Sequence, residues 1–210
     1  MSPRNSVFGK RKTGARTEKK VLIVCEGEKT EPQYFVAFDV NKELIDVQVI
    51  GAGKNTDSLV EHALALKVKA DKCHKPYSHV WCVFDRDSFT AGQFNRAMDI
   101  AKSKNIEVAY SNEAFELWYI LHFEYLQSGL SRKAYKDKLT KALKKLTGDP
   151  NKKYKKNDVN MYEMLKDKQE TAIKWAQKLL DDQWGADHNP EKDNPSTTVH
   201  KFVKFLIDYT

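Results

Sequence analysis

The sequence predicts an α/β fold: a mostly parallel sheet flanked by helices, with a helical region at the C-terminal end. Three observations carry this. Short apolar runs at residues 20–25 and 80–84, an alternating stretch at 45–50 and a short stretch at 106–110 have the length and composition of strands. Segments with apolar residues at helical spacing separate them. Beyond Ser131 no convincing strand pattern appears. Short strands alternating with helices, and apolar on both faces, are the pattern of a parallel sheet covered on both sides.

Each element follows from its residues. Residues 1–19 mix Pro, Gly, Ser, Thr and basic side chains without periodicity and read as a disordered basic arm. Residues 20–25 form the first strand. Tyr34, Phe35, Phe38 and Leu44 predict a helix over 31–44. Residues 45–50 give the second strand, closed by a turn at "GAGKNT". Leu59, Val60, Ala63, Leu64, Leu66 and Val68 predict a helix over 57–70, with Thr56 or Asp57 as cap. The third strand spans 80–84, a helix 94–102 and the fourth strand 106–110. Residues 112–123, "NEAFELWYILHF", are apolar on most sides and predict a well-buried helix. Residues 131–146 form a basic amphipathic helix with Tyr135, Leu139, Ala142, Leu143 and Leu146 as its apolar stripe. A long helix is expected over 161–180. A last helix, introduced by a cap signal, is expected within 194–207. The implied organisation is an arm at 1–19, an α/β domain at 20–125 and a helical region at 126–210.

Composition narrows the functional classes. A chain of 210 residues with 40% hydrophobic side chains can supply a core. No apolar run approaches bilayer length, and the basic N-terminus lacks the apolar core of a signal peptide, so a cytoplasmic, non-membrane protein is expected. Cys25, Cys73 and Cys82 lack metal-type spacing and read as free thiols, Cys25 and Cys82 as buried ones. The net charge of +7 is unevenly spread. Residues 1–20 hold seven Lys/Arg and one acid; residues 130–156 hold eleven and two. The rest is therefore an acidic body carrying two basic segments, a layout suited to a metal site beside a phosphate-binding surface. Solvated tails and faces give the same charge pattern.

Two strand ends concentrate acid. "VLIVCEGEKTEPQYF" (21–35) passes from apolar residues straight to Glu26, and "HVWCVFDRDSF" (79–89) passes to Asp85 and Asp87. Ligands of open parallel sheets bind beyond the carboxyl ends of the strands. Asp85 and Asp87, one residue apart, point the same way in extended chain. Two like charges about 4 Å apart repel by about 4 kcal/mol at an effective dielectric of 20, a cost that a cation offsets. Oxygen ligands without His or Cys favour Mg²⁺ or Mn²⁺ over zinc. Solvated loop acids are the bland alternative. Among cations, Lys29 is nearest in sequence, and Lys54, Lys155 and Lys156 compete for the role of charge stabiliser. "GAGKNT" lacks the spacing of a phosphate loop. His122 reads as a packed histidine, and Trp118–Tyr119 as core. Tyr135 and Tyr154, among lysines, are candidates for stacking on bases, although Tyr135 also falls on an apolar stripe.

"VLIVCEGEKTEPQYF", "VFDRDSF", "SNEAFELWYILHF" and "NPSTTVHKF" together resemble the RloB-like family, prokaryotic proteins with a Toprim catalytic domain. The resemblance runs from about residue 20 to the last helix. It implies metal-dependent phosphodiester hydrolysis of RNA, tRNA among them, or of DNA, in anti-phage defence and beside an ATPase partner of AAA or ABC type. It implies that Glu26 is a metal ligand or general acid/base, and that Asp85 and Asp87 bind the metal. Glu31 becomes a candidate for a second ion. Glu116 becomes a further ligand or a buried hydrogen-bonded acid. Lys144, Lys145, Lys152, Lys153, Lys155 and Lys156 are the expected nucleic-acid contacts. The chain lacks the separate tyrosine domain of topoisomerases and the zinc module of primases, so hydrolysis is the economical reading. Alternatives are a phosphotransferase and a non-catalytic nucleic-acid-binding or regulatory subunit.

Overall fold

The computed structural model describes residues 19–53, 56–86, 90–184 and 188–210. The basic arm through residue 18, Lys54 and Asp87 lie outside the described residues. Five strands form one sheet: β1 (Lys19–Cys25), β2 (Ile45–Gly51), β3 (His79–Asp85), β4 (Glu107–Asn112) and β5 (Ser196–Thr197). Their spatial order is β2-β1-β3-β4-β5. The first four are parallel, and β5 runs antiparallel to β4. The fold is thus the expected α/β sheet flanked by helices with a helical C-terminal region.

Strand alternation sorts side chains to the two faces. Val21, Ile23 and Cys25 of β1 and Trp81 and Val83 of β3 join one core; Leu22 and Val24, with Val80, Cys82 and Phe84, join the other. The second core is closed by α2 (Thr56–Lys72) and α3 (Ala91–Ser103). The first core is larger and draws on α1 (Thr30–Val36), α4 (Glu116–Ile120), α5 (Arg132–Thr147), α6 (Met161–Leu165), α7 (Gln169–Lys178) and α8 (Val199–Ile207). C-terminal helices and early strands therefore share one apolar cluster. Cys25 and Cys82 are buried, as their apolar contexts imply, and burial pushes the Cys82 thiol up to about 12.

Several boundaries differ from expectation. The first helix stops at Val36. Asn41 Oδ1 accepts the Glu43 N–H at 3.0 Å, a local turn that competes with helix and delivers the chain into β2. The buried helix begins only at Glu116, because residues up to Asn112 continue β4. The long helix expected over 161–180 is broken: α6 passes through a 3₁₀ turn at Lys166–Lys168 into α7, and a π turn follows at Leu179–Trp184. The C-terminal part does contain a strand, β5. It is held by hydroxyls rather than apolar side chains: Ser111 Oγ and Thr197 Oγ1 lie 3.0 Å apart, and Thr197 Oγ1 donates to the Tyr110 carbonyl at 2.9 Å. Thr198, which directly precedes the last helix, spends its hydroxyl on β4 by accepting the Tyr110 N–H at 3.0 Å and makes no side-chain cap bond.

The basic helix α5 fits its prediction closely. Ser131 caps it by accepting the Ala134 N–H at 3.3 Å. Gly148 ends it at φ +70°, the left-handed conformation that costs glycine little. Tyr135, Leu139 and Leu143 are buried, whereas Leu146 at the end of the stripe is exposed. Lys133, Lys141 and Lys145 face solvent.

Candidate functional site

The two acidic strand tips meet because β1 and β3 are hydrogen-bonded neighbours. The Glu26 N–H donates to the Val83 carbonyl at 2.8 Å, and the Asp85 N–H donates to Glu26 Oε2 at 3.0 Å. Glu26 is thus clamped across the end of the adjoining strand. Asp85 follows Trp81 and Val83 in period two and so lies on the side of the larger core. It is 9% exposed, and its Oδ2 lies 3.6 Å from the guanidinium of Arg132 at the start of α5.

Two further acids stand on this face. Glu31, in the first turn of α1, is 4% exposed. Its Oε2 is buried and has no hydrogen-bond partner among the described residues. Its carboxylate lies over Gly27, where a Cβ would collide with it, so the absence of a side chain at Gly27 lets the Glu31 carboxylate keep this seat. Burial raises the Glu31 carboxyl above its ordinary pKa; Glu116 pushes the same way, and Lys156 and Arg132 push back. Glu116, at the start of α4, is 6% exposed and accepts the Tyr154 hydroxyl at 3.1 Å. Burial, and then Glu116, hold Tyr154 in its protonated form; the charges of Glu31 and Asp85 reach the same phenol. Glu31, Asp85 and Glu116 therefore share one electrostatic environment on the strand-tip side of the large core.

Cations border the acids. A cleft of about 320 Å³ is lined by Gly27, Glu28, Lys29, Thr30, Lys156 and Asn157. Thr30 Oγ1 donates to the Lys156 carbonyl at 2.8 Å, which fastens the loop after α5 to the first turn of α1. The exposed Lys29 and Lys156 thus flank the mouth beside Glu31, while Lys54, their competitor, lies outside the described residues. The basic surface continues through exposed Lys145, Lys153 and Lys155 and half-buried Lys144. Lys152 departs from its expected role: it is paired with Asp158 at 3.0 Å in a half-buried ion pair that holds the loop. Tyr135 is packed at 0% exposure, as its place on the apolar stripe implies, whereas Tyr154 departs from its expected role, being 9% exposed with no ring face offered to a base. His122 is buried with its Nδ1 2.9 Å from the Trp118 carbonyl, and burial lowers it to about 4.

Arg132 and Tyr154 are the contributions that sequence reading assigned otherwise. Arg132 was legible only as one charge in a basic segment. That the N-terminus of α5 aims it at Asp85 depends on tertiary packing. Tyr154 stood among lysines, and no spacing rule links it to an acid 38 positions earlier.

The donor set is chemically suited to a hard divalent cation: carboxylates only, at the carboxyl ends of parallel strands, with one buried carboxylate oxygen unsatisfied. Among the described residues, no group of three or more His, Cys, Asp or Glu is arranged to hold a metal ion. Glu26 and Asp85 stand together, Glu31 and Glu116 lie deeper, and the remaining expected donor, Asp87, is outside the described residues.

Fold and site define a class: an α/β protein with carboxylates collected at adjoining parallel strand tips, bordered by a basic helix and loop. Within that class the chain belongs to the RloB-like family, since the family model described as "RloB-like protein" matches residues 21–206. Comparison with curated proteins and with solved structures gave no match.

Proposed function

We propose that the protein is a metal-dependent phosphodiesterase of Toprim type that hydrolyses RNA, tRNA among its candidate substrates, or DNA. The observation that supports this most is the contact between Glu26 and the Asp85 backbone, which unites the two acidic strand tips at the sheet's ligand-binding end. Glu26, Asp85 and Asp87 would hold Mg²⁺ or Mn²⁺, with Glu31 and Glu116 available for a second ion. When bound, such an ion polarises a phosphoryl oxygen and lowers the pKa of an attacking water.

The chain's own residues supply the rest. Lys29 and Lys156, at the mouth of the cleft, would receive the charge that grows on the phosphoryl oxygens. Arg132 holds the Asp85 carboxylate from the α5 side. Thr30 and Tyr154 fix the 149–157 loop against the acids, so Lys156 lines the cleft at little entropic cost. Lys144, Lys145, Lys153 and Lys155 extend a basic track for the strand's phosphates. A cytoplasmic role in anti-phage defence, beside an ATPase partner of AAA or ABC type, accompanies this reading through the family resemblance. Among the described residues no helix is long and apolar enough to cross a membrane.

The test is cleavage of labelled tRNA, single-stranded RNA and DNA with Mg²⁺ or Mn²⁺, with and without the partner ATPase. Metal-dependent cutting lost in Glu26→Ala and Asp85→Ala is expected. Cutting that persists unchanged in both variants would overturn the assignment. Nucleic acid bound without metal uptake or cleavage would make the chain a binding subunit instead.

A further inference from the structure

A second cavity lies away from the strand-tip cleft, at the far edge of the sheet. It has a volume of about 390 Å³, and its walls come from α3, β4, the segment 188–190 and the start of α8. Met98, Ile106, Val108 and Pro190 give it an apolar floor. Lys102 and Lys201, both exposed, stand on its rim, with Asp99 beside them.

The feature that gives the cavity chemical character is His188. Its Nδ1 lies 2.5 Å from Oδ2 of Asp193, which is 4% exposed and also accepts the Asn189 N–H at 2.7 Å. Its Nε2 lies 3.0 Å from the hydroxyl of the buried Tyr110. The two rings are within 16° of parallel with centroids 6.5 Å apart. That separation is what rings joined end to end by a hydrogen bond require, and it is too long for face-to-face stacking. Nε2 is thus hydrogen-bonded, while Nδ1 lies within ion-pair distance of Asp193 without forming a hydrogen bond, and the Tyr110 contact orients the ring. What His188 offers is a face: its side chain is 28% exposed and lines the cavity.

These observations select a ligand. A simple anion would use the lysines alone and leave the apolar floor and the imidazole face idle. An apolar ligand would leave the lysines idle. We propose that the cavity binds one nucleotide unit, its base stacked on His188 over Met98 and Pro190 and its phosphate held by Lys102 and Lys201. The volume is at the small end of the range for ligand pockets, about 300–1,000 Å³, and suits a ligand of mononucleotide size. Asp99 is placed to accept from sugar hydroxyls. The hydrogen bond with Tyr110 limits the rotamer freedom that the imidazole gives up on stacking, which favours binding at a shallow site.

The unit can come from a free nucleotide or from the phosphorylated end of a strand, and both are probed. AMP, adenosine, ribose 5-phosphate and a 5′-phosphorylated trinucleotide would be titrated into the full chain by calorimetry. Saturable binding of AMP or of the trinucleotide is expected, with adenosine and ribose 5-phosphate at least about tenfold weaker; whichever of the first two saturates identifies the source. Lys102→Glu and Lys201→Glu should each weaken the phosphorylated probe about tenfold or more. His188→Ala should weaken it as well, and His188→Phe, which keeps an aromatic face, should restore stacking. Asp85→Ala should leave it unchanged. Lack of saturation by either phosphorylated probe at ~10 mM would overturn the proposal. So would binding that survives both lysine reversals, or binding that Asp85→Ala abolishes, since that would assign the nucleotide to the strand-tip cleft.

Discussion

Tyr34→Phe probes the joint that holds the acidic helices in register. Tyr34 is 2% exposed, and its hydroxyl accepts two buried donors: Trp118 Nε1 at 2.9 Å and Gln169 Nε2 at 2.7 Å. One oxygen thereby ties α1, which carries Glu31, to α4, which carries Glu116, and to α7. Its removal leaves both donors buried without that acceptor, each at a cost of about 1–3 kcal/mol. The vacated volume is a single oxygen, so water has little room to substitute. Partial relaxation brings the expected loss to about 2–4 kcal/mol, or roughly 4–16 °C in Tm for a chain of this size. Urea denaturation should show a lower midpoint with an unchanged slope. A cycle with Gln169→Leu should return a coupling of at least about 1 kcal/mol, because both single changes break the same bond. A Tyr34→Phe protein within about 0.5 kcal/mol of wild type would refute the claim that this hydroxyl carries the joint.

Four further outcomes follow from particular residues. Gly27→Ala should push the Glu31 carboxylate from its seat, costing about 1–3 kcal/mol in stability and at least about tenfold in cleavage; unchanged activity would show that Glu31's position is irrelevant to turnover. Lys145→Ala, Lys153→Ala and Lys155→Ala should each lower the salt slope of nucleic-acid binding by about 1, whereas Lys152→Ala should destabilise the fold and leave the slope alone, as binding across a salt series would show. Burial lowers His122 and His200 to about 4 from 6.5, so between these values the unfolded chain takes up protons that the native one refuses. Stability should therefore fall as pH drops through that window, by at most about 3 kcal/mol per histidine, and His122→Gln should flatten part of the fall in urea titrations at several pH values. Asp85→Ala should reduce metal-dependent cleavage by at least about 100-fold, measured in single turnover.

β1 and β3 were legible as short apolar runs and β2 by its alternation, and Glu26 and Asp85 were legible because the residues that close β1 and β3 are acids. Their meeting followed from one topological condition, adjacency of the first and third strands, which β1 and β3 satisfy. What stayed illegible depends on partners distant in sequence. β5 has no apolar signature, since Ser196 and Thr197 bond through hydroxyls and backbone to a strand about 85 residues earlier. Thr198 carries a cap-like sequence, yet β4 claims its hydroxyl. Lys152 is indistinguishable in sequence from its neighbours, and only the folded loop reveals that Asp158 has taken it. Arg132 likewise acquires its meaning from the direction in which α5 points.

The account rests on a divalent cation held where β1 and β3 end, and anomalous diffraction from crystals soaked in Mn²⁺ tests that most directly. The account predicts a peak about 2.1 Å from carboxylate oxygens of Glu26, Asp85 and Asp87, absent in Asp85→Ala crystals. A fully soaked crystal with no peak there, or with manganese bound only elsewhere on the protein, would contradict it.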